Sequence, residues 1–164
     1  MARLSERAPE AMADPALRDR LARLALCSDF AVDTLCRQPA LALALDAPMA
    51  PPPELVAGAD ADWGALLRRW RTAESTRLVW RDLHGLDDVD ATLAGSSRIA
   101  DLALQSGVEA LSASLAERHG RVRSASGDVQ SMVVFGLGKL GGGELNLSYD
   151  VDLVYAFHEH GASD

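Results

Sequence analysis

Aromatic residues are scarce, at 5% of the 164-residue chain. Any core must therefore be assembled mainly from aliphatic side chains, and the dominant Ala and Leu favour helices. Cysteine is nearly absent. Cys27 and Cys36 stand nine residues apart with no C-x-x-C pair, which argues against a cysteine metal site. Both read as buried thiols of a reduced, cytoplasmic protein. Positive charge is also short: 16 Lys and Arg face 24 Asp and Glu, a formal net charge of −8 with a pI near 4.9. Tight binding to bare nucleic acid needs a basic face to neutralise phosphate, and the one basic run is "LRRWR", Leu67 to Arg71. Long apolar runs are missing. Nothing approaches the roughly 20 residues of a membrane span, and "LALALDAP" is broken by Asp46 and Pro48. Met1 to Ala13 is charged and lacks the apolar centre of a signal peptide.

What is present is apolar content of 48%, enough to core one ordinary domain or two small ones. Asp14-Pro15 reads as a helix start, with Asp as the cap and Pro at the first helical position. Leu17, Leu21 and Leu24 follow at helical spacing. Ser28 restarts the helix, carrying Phe30, Val32 and Leu35, and "PALALAL" reads as a further short helical piece. The Pro-rich stretch from Ala47 to Gly58 is the clearest linker. From Asp60 a long amphipathic helix is expected, with Trp63, Leu66, Leu67, Trp70, Leu78 and Val79 on its apolar face and Arg68, Arg69, Arg71, Arg77 and Arg81 mostly turned outward. An arginine-rich face beside tryptophans could stack nucleotides, but core tryptophans under a solvated charged face fit the pattern better. Gly85 ends this helix and Asp87 or Asp88 caps the next. That helix carries Ile99, Leu104, Val108, Leu111 and Leu115 as an apolar stripe and closes at His119-Gly120.

After the polar turn "RVRSASGDVQ" the period changes. Met132 to Phe135 and Val151 to Phe157 read as short buried strands. Gly136, Gly138 and Gly141 between them spell G-x-G-x-x-G. A dinucleotide fingerprint also needs a helix and then a parallel second strand. Only the eight residues "GGELNLSY" separate Gly141 from Asp150, too few for a parallel crossover. A P-loop fails as well, since no Ser or Thr follows Lys139.

The segment "SYDVDLVYAF" carries the stronger signal. Strand residues i and i+2 share a face, so Asp150 and Asp152 project together, roughly 7 Å apart at the backbone, while Val151, Leu153 and Tyr155 face a core. Paired carboxylates in an apolar strand are costly without a cation. Mg²⁺ suits them because it takes carboxylate oxygens and keeps positions for water and phosphate. Gly141, Gly142 and Gly143 let the backbone turn tightly and offer N–H groups to phosphate, with Lys139 adding a positive charge. The layout suits a metal-bound nucleoside triphosphate or nucleotidyl group.

"GLGKLGGGELNLSYDVDLVYAF" closely resembles the signature of the bacterial glutamine synthetase adenylyltransferase (adenylyl-removing) family, members of the nucleotidyltransferase superfamily. "LRRWRTAESTRLVWRDL", "SDFAVDTLCRQPAL" and "FHEHG" extend the resemblance over most of the chain. It implies a mainly α N-terminal region, residues 1–120, followed over 121–164 by the first strands of an α/β (α+β) nucleotidyltransferase domain. The family's enzymes carry two such domains: one removes AMP from a tyrosine of glutamine synthetase by phosphorolysis, giving ADP, and the other attaches AMP from ATP. A PII-class signal protein sets the balance. The helical region and the "GGGELN" wording place this chain at the removing domain. Carried over by position, Gly141 and Gly142 are the glycine pair, and Asp150 and Asp152 are the catalytic, metal-binding carboxylates. Glu144 and Asn146 belong to the signature without an assigned role. Tyr149 stands where the family usually has Ser. The superfamily's third carboxylate lies on a later strand, so the chain is expected to be the front of a longer protein and inactive alone. The alternatives are another nucleotidyltransferase, of the PII-uridylylating or RNA-tailing type, and a non-catalytic helical interaction module.

Overall fold

The computed structural model describes residues 1–56, 62–147 and 150–163. Helices α1 (Ala2–Arg7), α2 (Pro9–Ala13), α3 (Pro15–Cys27) and α4 (Asp29–Arg37) run into a 3-10 turn at Pro39–Leu43. Two expected caps hold: the Asp14 carboxylate accepts from the Ala16 amide at 2.9 Å, and the Ser28 hydroxyl accepts from Ala31 at 3.2 Å. These helices bury Leu4, Leu21, Leu24 and Leu35 completely. Full burial is worth about 1.5–3 kcal/mol for each such side chain.

The long helices α5 (Trp63–Leu83) and α6 (Val89–His119) pack on one another. Asp62 caps α5 through the Ala65 amide, and Asp88 caps α6 through Ala91. The expected start at Asp60 lies outside the described residues. Gly85 (φ +65°) and Gly120 (φ +76°) end the two helices as expected.

The apolar face of α5 is displaced from the one expected. Leu66 is exposed, and Trp63 and Leu67 are half-buried. Burial begins at Trp70 and runs through Ala73, Leu78 and Trp80, the last with no exposed surface. The reason is the second partner. Helix α5 packs on α4 as well as α6: Ala73 and Trp80 join the core of the N-terminal helices, and Trp70 and Leu78 pack with Ile99 of α6. Trp80 also donates from Nε1 to Asp46 at 2.8 Å, and the Arg20 guanidinium, bidentate to Asp46 at 2.8 Å, stacks over its ring. These contacts hold the Asp46 carboxyl at about 2, below its ordinary 3.8.

The arginines of α5 do not all turn outward. Arg77 pairs with buried Glu74 at 2.8 Å and donates to the Ala44 carbonyl; Arg81 grips Asp87 at 2.7 Å. Burial pushes the Glu74 carboxyl upward despite that pair. The proline-rich segment is pinned along α5 over its described residues. Trp70 Nε1 donates to the Ala50 carbonyl at 3.0 Å, Trp63 Nε1 to Val56 at 3.0 Å, and the Ala50 amide to Glu74 at 3.3 Å.

Other expectations are also corrected. Cys27 is exposed at the last turn of α3, and Cys36 is half-buried. On α6 the stripe is buried at Ile99 but Leu111 and Leu115 are each 54% exposed, while Ser114 between them is buried, so the covered face of this part of the helix is not the apolar stripe.

Strands β1 (Val122–Arg123), β2 (Val133–Gly136), β3 (Leu153–Ala156) and β4 (Ala162–Ser163) form two antiparallel pairs, β1 with β4 and β2 with β3. A single-turn helix, α7 (Gly138–Gly141), follows β2. The strands at 133–136 and 153–156 fall where expected but are not buried. Val133, Phe135, Val154 and Tyr155 are 45–58% exposed, since each pair lacks a further layer over its outer face. Mainly helical first and stranded last, the architecture is the one anticipated from the sequence.

Candidate functional site

The glycine-rich stretch forms the link of a hairpin. Val133 pairs with Ala156, Val134 with Tyr155, Phe135 with Val154 and Gly136 with Leu153, all antiparallel. The ladder continues as the Leu137 amide donates to the Asp152 carbonyl at 2.9 Å. An antiparallel pair cannot be the βαβ unit of a dinucleotide fold, so the geometry agrees with the rejection made on spacing.

The turn is tight for a specific reason. A Cβ on Gly141 would sit 2.4 Å from the Gly136 carbonyl oxygen, a backbone atom that cannot swing aside. Gly138 (φ +56°) and Gly143 (φ +72°) take left-handed conformations. The amides of Gly141, Gly142 and Gly143 donate to the carbonyls of Leu137, Gly138 and Leu140, and Glu144 to Lys139. Gly141 and Gly142 thus serve close backbone approach, and their N–H groups close the turn itself. What the turn offers outward is the exposed Lys139 and the first-turn amides of α7, which a helix start leaves without intrahelical acceptors.

Asp150 and Asp152 lie just before β3, and both are exposed. Val151 between them is half-buried, as is Leu153, whereas Tyr155 is exposed rather than turned into a core. Tyr149, with Ser148, lies outside the described residues. Two hard carboxylate donors with open sides suit a divalent cation that keeps positions for water and phosphate. Among the described residues no third His, Cys, Asp or Glu joins them.

The segment between the glycines and the carboxylates is fastened to α6. Leu145 is 5% exposed, and its amide donates to Ser97 Oγ at 3.0 Å. Ser96 Oγ donates to the Asn146 carbonyl at 2.9 Å. A cavity of about 140 Å³ under this segment is lined by Ser75, Ser96, Ile99, Leu145 and Val151 among others. The sequence reading did not find Ser96 and Ser97. The signal was there in "AGSSRIA", where small polar residues interrupt an apolar face and let another chain approach.

Residues 18–164 match the family model described as glutamate-ammonia ligase adenylyltransferase. The chain belongs to this family. It is 56% identical to the bifunctional glutamine synthetase adenylyltransferase/adenylyl-removing enzyme of Xanthomonas campestris pv. campestris (strain B100), over 95% of this chain and 16% of that protein. It is 55% identical to the enzyme of that name from Stenotrophomonas maltophilia (strain R551-3), over all of this chain and 18% of the relative. The like-named protein of Methylococcus capsulatus is 43% identical over 58% of the chain. The chain thus spans less than a fifth of the length of these relatives. Within the glutamate-ammonia ligase adenylyltransferase match lie the glycine turn, both aspartates and helix α6 with Ser96 and Ser97.

Proposed function

We propose that this chain serves, within a longer enzyme, in the control of glutamine synthetase by removal and addition of AMP, and that residues 121–164 begin the phosphorolytic, AMP-removing domain. The observation that carries the proposal is the antiparallel hairpin that brings the Gly136–Gly143 turn beside Asp152, in a chain of this family. In the reaction an oxygen of inorganic phosphate attacks the AMP phosphorus. The bond from phosphorus to the tyrosyl oxygen breaks, ADP leaves, and the tyrosinate takes up a proton.

Asp150 and Asp152 would hold Mg²⁺, which when bound supplies counter-charge to the phosphoryl oxygens. Lys139 lies where it can draw the attacking or departing phosphate towards the turn. Gly141 lets the turn close against β2, which keeps Lys139 and the carboxylates on one hairpin. A PII-class protein and ATP, ADP and phosphate are the partners of the parent enzyme, and its compartment is the cytoplasm. No helix among the described residues is long and apolar enough to cross a membrane.

The test is Asp150→Asn or Asp152→Asn in the full-length parent. Each keeps the side-chain shape and removes one negative charge. Phosphate-dependent release of AMP from modified glutamine synthetase should fall on the order of a hundredfold or more, while AMP addition continues. Unchanged release would refute the carboxylates' role. Equal loss of both activities would refute the assignment to the removing domain.

A further inference from the structure

We infer that Ser96 and Ser97 of α6 are positioning residues for the carboxylate segment, and that through them the helical region sets the geometry of the phosphoryl-transfer site. The inference rests on the function proposed above. On either side of the carboxylate Asp150, described residues are fastened by hydrogen bonds to other parts of the chain. At the far end the Asp152 carbonyl accepts from Leu137 at 2.9 Å, which ties the second carboxylate to the base of the glycine turn. At the near end Leu145 and Asn146 are tied to α6.

Ser97 is 5% exposed, and its hydroxyl is engaged both as donor and as acceptor. It donates to the Leu93 carbonyl one turn back at 3.0 Å and accepts from the Leu145 amide at 3.0 Å. Its neighbour Ser96, 8% exposed, donates to the Asn146 carbonyl at 2.9 Å. Two successive residues, Leu145 through its amide and Asn146 through its carbonyl, are therefore held by two successive hydroxyls. Leu145 fixes the depth of the segment by burial, and the hydroxyls fix its direction. A buried amide that loses its acceptor bears a desolvation cost, so the segment would shift to find water. The carboxylates begin four residues beyond Asn146, and misplacement of about 1 Å at a reacting group can cost on the order of a hundredfold in rate.

In the full-length parent, Ser97→Ala removes the acceptor for Leu145, Ser96→Ala removes the donor to Asn146, and Ser97→Thr keeps the hydroxyl. Amide hydrogen exchange read by mass spectrometry, AMP-release kinetics and direct Mn²⁺ binding to the unliganded protein are measured on each. For Ser97→Ala we expect faster exchange at Leu145 and onward to Asp152, with α5 unchanged. Mn²⁺ binding should weaken, and kcat for AMP release should fall about tenfold with little change in KM. Ser97→Thr should restore all three. Ser96→Ala should give the same pattern more weakly. Unchanged exchange at Leu145, or faster exchange spread equally over α5 and α6, would overturn the inference. So would unaltered metal binding with unaltered kcat, provided that Asp150→Asn abolishes AMP release in the same protein. If Asp150→Asn is itself without effect, it is the proposed reaction that fails.

Discussion

The fully enclosed apolar side chains all lie in the helical region up to His119, whereas the strands beyond it leave theirs largely on display. Leu4, Leu21, Leu24, Leu35 and Trp80 have no exposed surface, whereas Val133, Phe135, Val154 and Tyr155 are about half exposed on four-residue strands. The two regions have similarly apolar sequences, so the difference is one of layers. The N-terminal helices and the middle of α5 find neighbours on their apolar sides, but among the described residues each strand pair leaves one face open. Two-stranded units are marginal in water, and the segment that joins the hairpin's strands is fastened to α6 at Leu145 and Asn146 through the two serines. The candidate site thus sits on the less enclosed region, with its firmest supports in the more enclosed one.

The comparison breaks most visibly in hydrogen exchange on this chain. Amides in the middle of α5 should exchange on the order of a thousandfold or more slowly than those of β2 and β3. Equal protection would show that the strands are as well supported as the helices. Next in size is truncation. Trp80→Ala should cost about 3–5 kcal/mol, and Phe135→Ala, at a side chain 52% exposed, should stay within about 0.5 kcal/mol. Both are read from urea midpoints followed by circular dichroism.

Within the turn the contrast sharpens between adjacent glycines. Gly141→Ala drives a methyl into the Gly136 carbonyl and should cost about 1–3 kcal/mol locally. Gly142 has ordinary right-handed angles, and its added Cβ would be 3.6 Å from the nearest atom. Gly142→Ala should be neutral or stabilise by about 0.4–1 kcal/mol. Exchange at the Glu144 amide, which bonds across the turn to Lys139, separates the two. The smallest effect is in acid. A carboxyl held below its ordinary value stabilises the fold above that value and loses its contribution as pH falls from 3.8 through about 2. Asp46→Asn should lower the melting temperature slightly at neutral pH, and the difference should shrink as the pH falls through about 2. Solvent screening keeps the effect small, since the Asp46 side chain is 59% exposed. Glu74, held upward by burial, acts with the opposite sign and is relieved by acid.

Capping chemistry was legible in the sequence because it is local: Asp14, Ser28 and Asp88 each act within three residues of themselves. The change of period after residue 120 was legible for the same reason, and so was the failure of the dinucleotide reading, which needs only a count of residues. The burial of α5 was not, because a helix flanked on two sides hides more than one stripe, and nothing local says that α4 returns to cover Trp80. The outward apolar strands were misread because an apolar run signals a preference for burial, not the presence of a covering layer. In the site, Gly141 and the aspartates were visible as a pattern. The serines were not, since their partners lie 48 and 50 residues away.

The distribution of chromophores follows the same division. Trp63, Trp70 and Trp80 all lie on α5, and the tyrosines, Tyr149 and Tyr155, both lie after the glycine turn. Tryptophan emission therefore reports on the helices alone, and tyrosine absorbance on the stranded end alone. Trp80, beneath a guanidinium and with its ring centroid 4.1 Å from that of His84, gives the first an environment that changes sharply when the helices part. One unlabelled sample thus carries two separate optical clocks, one for each region.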